Sequence, residues 1–178
     1  ATPKGVVVTH RNLLANLEQV QASESRRRGP DDVALAVLPL FHIFGLNVVL
    51  GLTIARGATV VLVQRFDPST ALDTIRERKV TVVPGAPPMW LAFSHMDGEP
   101  ADSFATVRLA LTGAAKMPEE ATLRLQQRFG ITLREGYGLT EASPIVTSSA
   151  GIPFKVGKVP FQAIGKAVGL AVFASDAL

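Results

Sequence analysis

REGYGLTEASP, residues 134–144, sets two glycines around a tyrosine and then places a hydroxyl beside a carboxylate. Gly136-x-Gly138 is the first half of a G-x-G-x-x-G dinucleotide turn, but the third glycine position holds Glu141. An acid pressed against a pyrophosphate repels it unless a metal ion lies between them. Gly136 and Gly138 let backbone approach a ligand or adopt positive φ. Tyr137, the only tyrosine, offers a flat face for a nucleobase. Thr140 can reach a phosphate oxygen, and Glu141 can supply one oxygen ligand to Mg²⁺. The competing reading is a glycine-rich turn with a surface Thr-Glu pair, and the segment alone leaves both open.

Outward from this stretch, strands and helices alternate. The apolar run VALAVLPL (33–40) reads as a strand buried on both faces. ATVVLV (58–63), VTVVPG (80–85), VRLALTG (107–113) and ITLREGYG (131–138) read as further strands, the last running into a loop. Helices are expected at Ile43–Ala55, closed by Gly57, and over 67–79, with Asp67 as N-cap and Pro68 at the first position. Others are expected over 86–96 and over 117–129, the latter with Pro118 and two acids in its first turn. Near the start, Val6, Val7 and Val8 suggest a strand, and Thr9 caps a helix with Leu13, Leu14, Leu17 and Val20 at helical spacing. These connections are too long for hairpins, so the fold class is α/β, a mostly parallel sheet covered by helices. Ligands of such sheets sit at loops leaving the carboxyl ends of strands. LTGAAK (111–116) and EGYGLTE (135–141) are loops of that kind.

Composition narrows the function. The chain has 178 residues, 47% hydrophobic and 19% charged, enough for one domain-sized core. The formal charge of +3 is a weak basic excess, part of it the run Arg26, Arg27, Arg28, read as a solvated loop. With one Trp and one Tyr there is no stacking platform for single-stranded nucleic acid, so nucleic acid is not an expected partner. Cysteine is absent, which excludes disulfides, thiolate metal sites and a cysteine nucleophile, and fits a cytoplasmic protein. Residues 33–55 carry no charge over a length that could span a membrane, but Pro39, His42 and Asn47 interrupt them. They read as a buried strand and helix, with no transmembrane segment.

Several chemistries fail. G-x-S-x-G is absent, the three histidines form no H-E-x-x-H pair, and TPKGV lacks the Ser/Thr of a Walker loop. His10 and His95 read as structural, and Trp90 and Phe93 as core.

TPKGVVVTHRNL, LPLFHIFGL, LTGAA and GYGLTE follow one another in the order and spacing of the AMP-forming adenylating enzymes. The resemblance covers residues 1–149, and the chain looks most similar to a fatty-acid or aryl acyl-CoA ligase. It implies part of the large N-terminal domain of such an enzyme, with ATP, Mg²⁺ and coenzyme A as cofactor and co-substrates and a carboxylic acid as substrate. By that resemblance Tyr137 stacks on adenine, and Gly113, Ala114 and Ala115 form the opposite wall. Glu135, Gly136 and Gly138 complete the nucleotide pocket, Thr140 contacts the α-phosphate, and Glu141 holds Mg²⁺. Lys4 and Gly5 resemble the tail of a phosphate loop, and His42 the residue where acyl pocket meets phosphate.

Where the resemblance thins, further expectations arise. ATPKG begins inside the family's phosphate loop and lacks an initiator Met, so the chain reads as a piece of something longer. Residues 150–178 read as an irregular continuation of the same domain, and the lysine-bearing C-terminal domain has no counterpart. The isolated chain is expected to have little or no ligase activity, and to self-associate through exposed apolar surface. A nucleotide-binding remnant without catalysis and an amino-acid-activating domain are the alternatives. Against the latter, FHIFGLNVVLGL offers only Asn47 among apolar residues, which favours an apolar acid.

Overall fold

The computed structural model describes residues 5–23, 29–149 and the backbone of 166–167. Lys4, the arginine run 26–28 and most of 150–178 lie outside the described residues. The expected α/β fold is present. Helix α1 (His10–Ser23) is followed by strand β1 (Val33–Ala36), then a π-helical segment, Phe44–Gly51, that runs on into α2 (Leu52–Ala55). There follow β2 (Thr59–Leu62), α3 (Pro68–Glu77), β3 (Val82–Gly85), α4 (Pro87–Ser94), β4 (Leu109–Thr112), α5 (Glu119–Phe129) and β5 (Leu133–Gly138). A 3₁₀ turn (Thr140–Ala142), β6 (Ile145–Ser148) and β7 (Lys166–Ala167) complete the order.

The strands form one sheet in the order β2-β1-β3-β4-β5-β6-β7. The first five are parallel, whereas β5, β6 and β7 pair antiparallel. The chain leaves β1 toward β2, then returns across β1 to β3. A right-handed crossover changes face when it reverses direction along the sheet. The apolar clusters follow that rule. Alternate residues of β1, β3 and β4 (Leu35, Val83, Ala110) join Leu72, Ile75, Trp90, Phe93 and Leu125 of α3, α4 and α5. Their neighbours Ala34, Val82, Leu109 and Leu111 face the other way. Val48 and Leu52 of the π-helix and α2 lie with Ala34 and Val82 around one small cavity, and Leu52 packs with Leu17 and Val20 of α1.

Trp90 and Phe93 are core, as expected: both are fully buried, and Trp90 donates its indole N–H to the Leu111 carbonyl at 3.0 Å. Phe93 meets Phe66 and Phe104 edge-on at 5.4 and 5.2 Å. Burying such a side chain contributes about 1.5–3 kcal/mol. Asp67 caps α3 by accepting from Thr70 N–H at 2.9 Å, with Pro68 in the first position.

Four local expectations are corrected. Val6–Val8 form no strand; a parallel-sheet strand needs a neighbour, and none pairs there. Pro118 is the N-cap of α5, not its first residue. The helix expected over 43–55 is largely π-helical, a form that sequence periodicity does not separate from α. The loop expected over EGYGLTE (135–141) begins later, because antiparallel pairing with β6 carries β5 through Gly138.

At the opposite end of the sheet from the glycine-containing loops, Asp32 accepts from Arg108 Nε at 2.9 Å and, by a second bond, from Arg108 Nη2. Thr81 Oγ1 at 2.7 Å and Gly29 N–H at 2.8 Å also donate to it. Burial pushes its carboxyl up, but these donors together outweigh burial and hold it below the ordinary range. A lowered native pKa gives stability that is present above the unfolded value of about 3.9 and is lost as pH falls through the native value. Asp32→Asn should therefore cost about 1.5–3 kcal/mol at neutral pH, with the gap to wild type closing below about pH 4. Urea unfolding followed by the fluorescence of Trp90, the only tryptophan, checks this; a gap independent of pH would refute it.

Candidate functional site

Strands β4 and β5 lie side by side, with Thr112 opposite Glu135. The chains leaving their carboxyl ends are thereby neighbours. A Cβ on Gly113 would sit 3.3 Å from the Gly136 carbonyl oxygen and 3.1 Å from Cε1 of Phe44. Gly113 is therefore needed for close approach of three segments, and it is buried, while Ala114 and Ala115 are exposed. Ala114 has φ of +72°, a left-handed conformation unusual for a residue with a Cβ. Tyr137 is 58% exposed at the end of β5.

Gly138 has a different duty. A Cβ there would run into the Pro144 carbonyl oxygen, the acceptor of Leu139 N–H at 2.9 Å. The chain between them folds into the 3₁₀ turn that exposes Thr140 and Glu141. Ala142 N–H bonds the Leu139 carbonyl at 3.0 Å and Ser143 N–H the Thr140 carbonyl at 3.2 Å. Gly136, by contrast, has only ordinary contacts, the nearest at 3.8 Å.

Glu135 is half-buried, and burial pushes its carboxyl up, with Lys116 pulling the other way. Its backbone is locked to Ser149, whose Oγ accepts Glu135 N–H at 2.8 Å and whose N–H bonds the Glu135 carbonyl at 2.9 Å. Thr112, on the neighbouring strand, is 2% exposed, and its Oγ1 has no described protein partner.

His42 lies in the connection from β1 to the π-helix and is exposed. Its Nδ1 accepts Phe44 N–H at 3.1 Å, so a neutral ring carries its proton on Nε2. Its exposure rules out a histidine packed in the core. His95 is structural, with Nδ1 2.7 Å from the Leu91 carbonyl, and His10 is exposed at the first position of α1. Gly5 is exposed with open space around it.

The structure thus gathers Gly113–Ala115, Glu135–Gly138 and the Thr140–Glu141 turn at the carboxyl edge of β4 and β5. Phe44, two residues past His42, links the π-helix to them. Lys4 lies outside the described residues. Two residues escaped notice as site builders. Asn16 of α1, 3% exposed, bonds both backbone groups of Ile145, and buried Asn47 of the π-helix donates to the Ser143 carbonyl at 2.9 Å. The available signal was an asparagine, a poor interior helix former, within an apolar helix face.

Ligands of open α/β sheets bind outside the carboxyl ends of the strands, where these glycine-containing segments, Tyr137 and Glu141 lie. Residues 1–174 match the family described as AMP-binding enzyme, and the chain belongs to that family. It is 35% identical over 164 residues to 4-coumarate–CoA ligase 3 of Oryza sativa subsp. japonica, an alignment covering 86% of this chain and 29% of that one. Over 143 residues it is 35% identical to the long-chain-fatty-acid–CoA ligase of Bacillus subtilis (strain 168), covering 80% of this chain and 26% of that one. The chain therefore spans less than a third of these relatives. Apo MatB from Rhodopseudomonas palustris superposes with a TM-score of 0.82 at 26% identity, covering 94% of this chain and 32% of that one. O-succinylbenzoate coenzyme A synthetase of Bacillus subtilis, in complex with ATP and magnesium ion, superposes at 0.71 with 28% identity, covering 84% and 30%.

The glycines give contrasting expectations. Gly138→Ala should cost about 1–3 kcal/mol through overpacking on Pro144, while Gly136→Ala should stay within about 0.5 kcal/mol. Ala114→Gly should stabilise by about 1 kcal/mol by relieving its left-handed backbone. Thermal unfolding of the three variants checks the order; equal costs at 136 and 138 would sink it.

Proposed function

We propose that this chain is the nucleotide- and acid-binding part of an AMP-forming acid–CoA ligase. The observation that carries the reading is the adjacency of Gly113–Ala115 and exposed Tyr137, one strand apart at the carboxyl edge of the sheet, in a member of the AMP-binding enzyme family. The relatives support CoA as acceptor, because those matched are CoA ligases.

In the reaction, a carboxylate oxygen attacks the α-phosphorus of ATP, forming an acyl–O–P bond as the bond to the β-phosphate breaks and pyrophosphate leaves. The thiol of coenzyme A then attacks the acyl carbon, losing its proton as the acyl–oxygen bond breaks and AMP departs. Neither step needs a covalent link to the protein, so the protein's work is positioning and charge stabilisation. Tyr137 stacks on adenine, with Gly113, Ala114 and Ala115 opposite and the Glu135–Gly138 backbone alongside. Thr140 donates to the α-phosphate. His42 has Nε2–H available for the carboxylate or phosphate, because Nδ1 is already occupied. Gly5 and Lys4, the latter outside the described residues, would contact the phosphates.

The donor set suits magnesium. Among the described residues no group of three or more His, Asp or Glu could form an all-protein cage. Mg²⁺ takes one or two carboxylates together with substrate phosphates, which exposed Glu141 beside Thr140 would allow. Bound there, it would screen the negative charge on the phosphates.

The acid is apolar, fatty or aryl. Asn47, the polar residue of the π-helix that could have marked an amino-acid substrate, is buried with its amide turned to the Leu13 and Ser143 carbonyls. That leaves aliphatic and aromatic side chains on this helix, and weakens the reading as an amino-acid-activating domain. No helix among the described residues is long and apolar enough to cross a membrane.

Calorimetric titration tests the nucleotide site. Wild type should bind adenosine, AMP and Mg-ATP. Tyr137→Ala should weaken all three by about tenfold or more, a loss typical of one stacked base. Glu141→Gln should weaken Mg-ATP while sparing adenosine. A folded wild-type chain that takes up no nucleotide would overturn this reading.

A further inference from the structure

The turn that presents Thr140 and Glu141 is held from outside by two asparagine side chains. Strand β6 pairs with β5 along one edge, and with β7 only at Thr147 and Ser148 on the other. On the edge away from β5, Ile145 therefore has no strand beside it among the described residues. Asn16 of α1 occupies that place: its Nδ2 donates to the Ile145 carbonyl at 2.8 Å, and its Oδ1 accepts Ile145 N–H at 3.2 Å. A side-chain amide presents one donor and one acceptor with the spacing of a peptide group, so it can stand in for a strand. From the π-helix, Asn47 spends both amide hydrogens on backbone, donating to Ser143 at 2.9 Å and Leu13 at 3.3 Å. Asn47 thereby joins α1, the π-helix and the turn through one side chain.

We propose that Asn16 and Asn47 are positioning residues that clamp the Thr140–Glu141 turn against α1 and the π-helix, fixing its two side chains for the nucleotide's phosphates. The inference rests on the nucleotide-facing reading of Thr140 and Glu141 under Proposed function. The chemistry favours it over plain core packing. Leu17 and Val20 of the same helix fill space with aliphatic side chains, whereas Asn16 and Asn47 are buried and bond backbone groups of Ile145, Ser143 and Leu13. Buried amides of this kind impose geometry, because a shifted turn would leave several polar groups unpaired. The clamp also sets α1, which follows Gly5 after a few residues, in register with the turn. Chain segments proposed to meet opposite ends of the triphosphate thus share one support.

Asn16→Asp and Asn47→Asp keep size and remove donors, and Asn16→Ala serves as a harsher control. Hydrogen exchange is read at Leu139, Ala142 and Ser143, whose amides bond within the turn, and at Val61, Val83 and Ala110 in the parallel sheet. The clamp requires exchange at the first group to rise about tenfold while the second changes less than about twofold. Titration of the same proteins should show Mg-ATP affinity falling about tenfold and adenosine affinity, which depends on Tyr137 and needs no phosphate contact, staying within about twofold. Faster exchange spread evenly through the sheet would mean the asparagines serve only global stability, and would overturn the proposal. So would local loosening with unchanged Mg-ATP affinity, or equal losses for adenosine and Mg-ATP. A wild-type protein that binds no nucleotide defeats the functional reading and the phosphate half of this one, while the exchange pattern still decides whether the clamp exists.

Discussion

The pairing of β4 with β5, Thr112 opposite Glu135, is the constraint on which the site depends. Two glycine-containing loops far apart in the chain become neighbours only because their strands are adjacent and parallel, so that both leave at one edge. Parallel pairing in turn requires α5 as the crossover, and α5 requires an apolar face, supplied by Ala121, Leu125 and Phe129. The core beneath the site is thus the reason that Gly113 can meet Gly136. Gly113 eases this approach, because a Cβ there would press on Phe44 and the Gly136 carbonyl.

The two ends of the sheet are built for different tasks. At the amino ends of β1, β3 and β4, Asp32 gathers Arg108, Thr81 and Gly29, so the charge is spent inside the protein. At the carboxyl end, Tyr137, Thr140, Glu141 and His42 are exposed. Structures commonly keep their paired charges where they stabilise and their exposed functional groups where a ligand must enter. The backbone around the exposed groups is nevertheless fixed, by Ser149 at Glu135 and by Asn16 and Asn47 behind the turn. Presentation of a flexible-looking motif therefore rests on buried amides.

Much of this was legible along the chain. Apolar runs of strand length, proline and aspartate at helix starts, and the order of the four motifs led to the α/β class and to the neighbourhood of the site. They did so because capping, burial and the approach of backbone to phosphate are local demands, met by residue types at short spacing. Asp67 before Pro68, and Trp90 with Phe93 on one helix, could be read without knowledge of the fold.

What the tertiary structure alone decided depends on contacts between distant segments. Val6–Val8 have strand composition but find no neighbouring strand, while Gly136–Gly138 have turn composition and are drawn into a strand by β6. Asn47 could be a substrate determinant by position, and it becomes a structural tie because Ser143 is brought within 2.9 Å. Asn16 carried no visible role until Ile145, 129 residues away in sequence, was placed against it. The sequence by itself determined the alternation of strands and helices that makes the α/β class and which residue types could meet a nucleotide. The fold decided which unpaired backbone groups needed partners, since a hydrogen bond between distant residues exists only once packing has closed the distance.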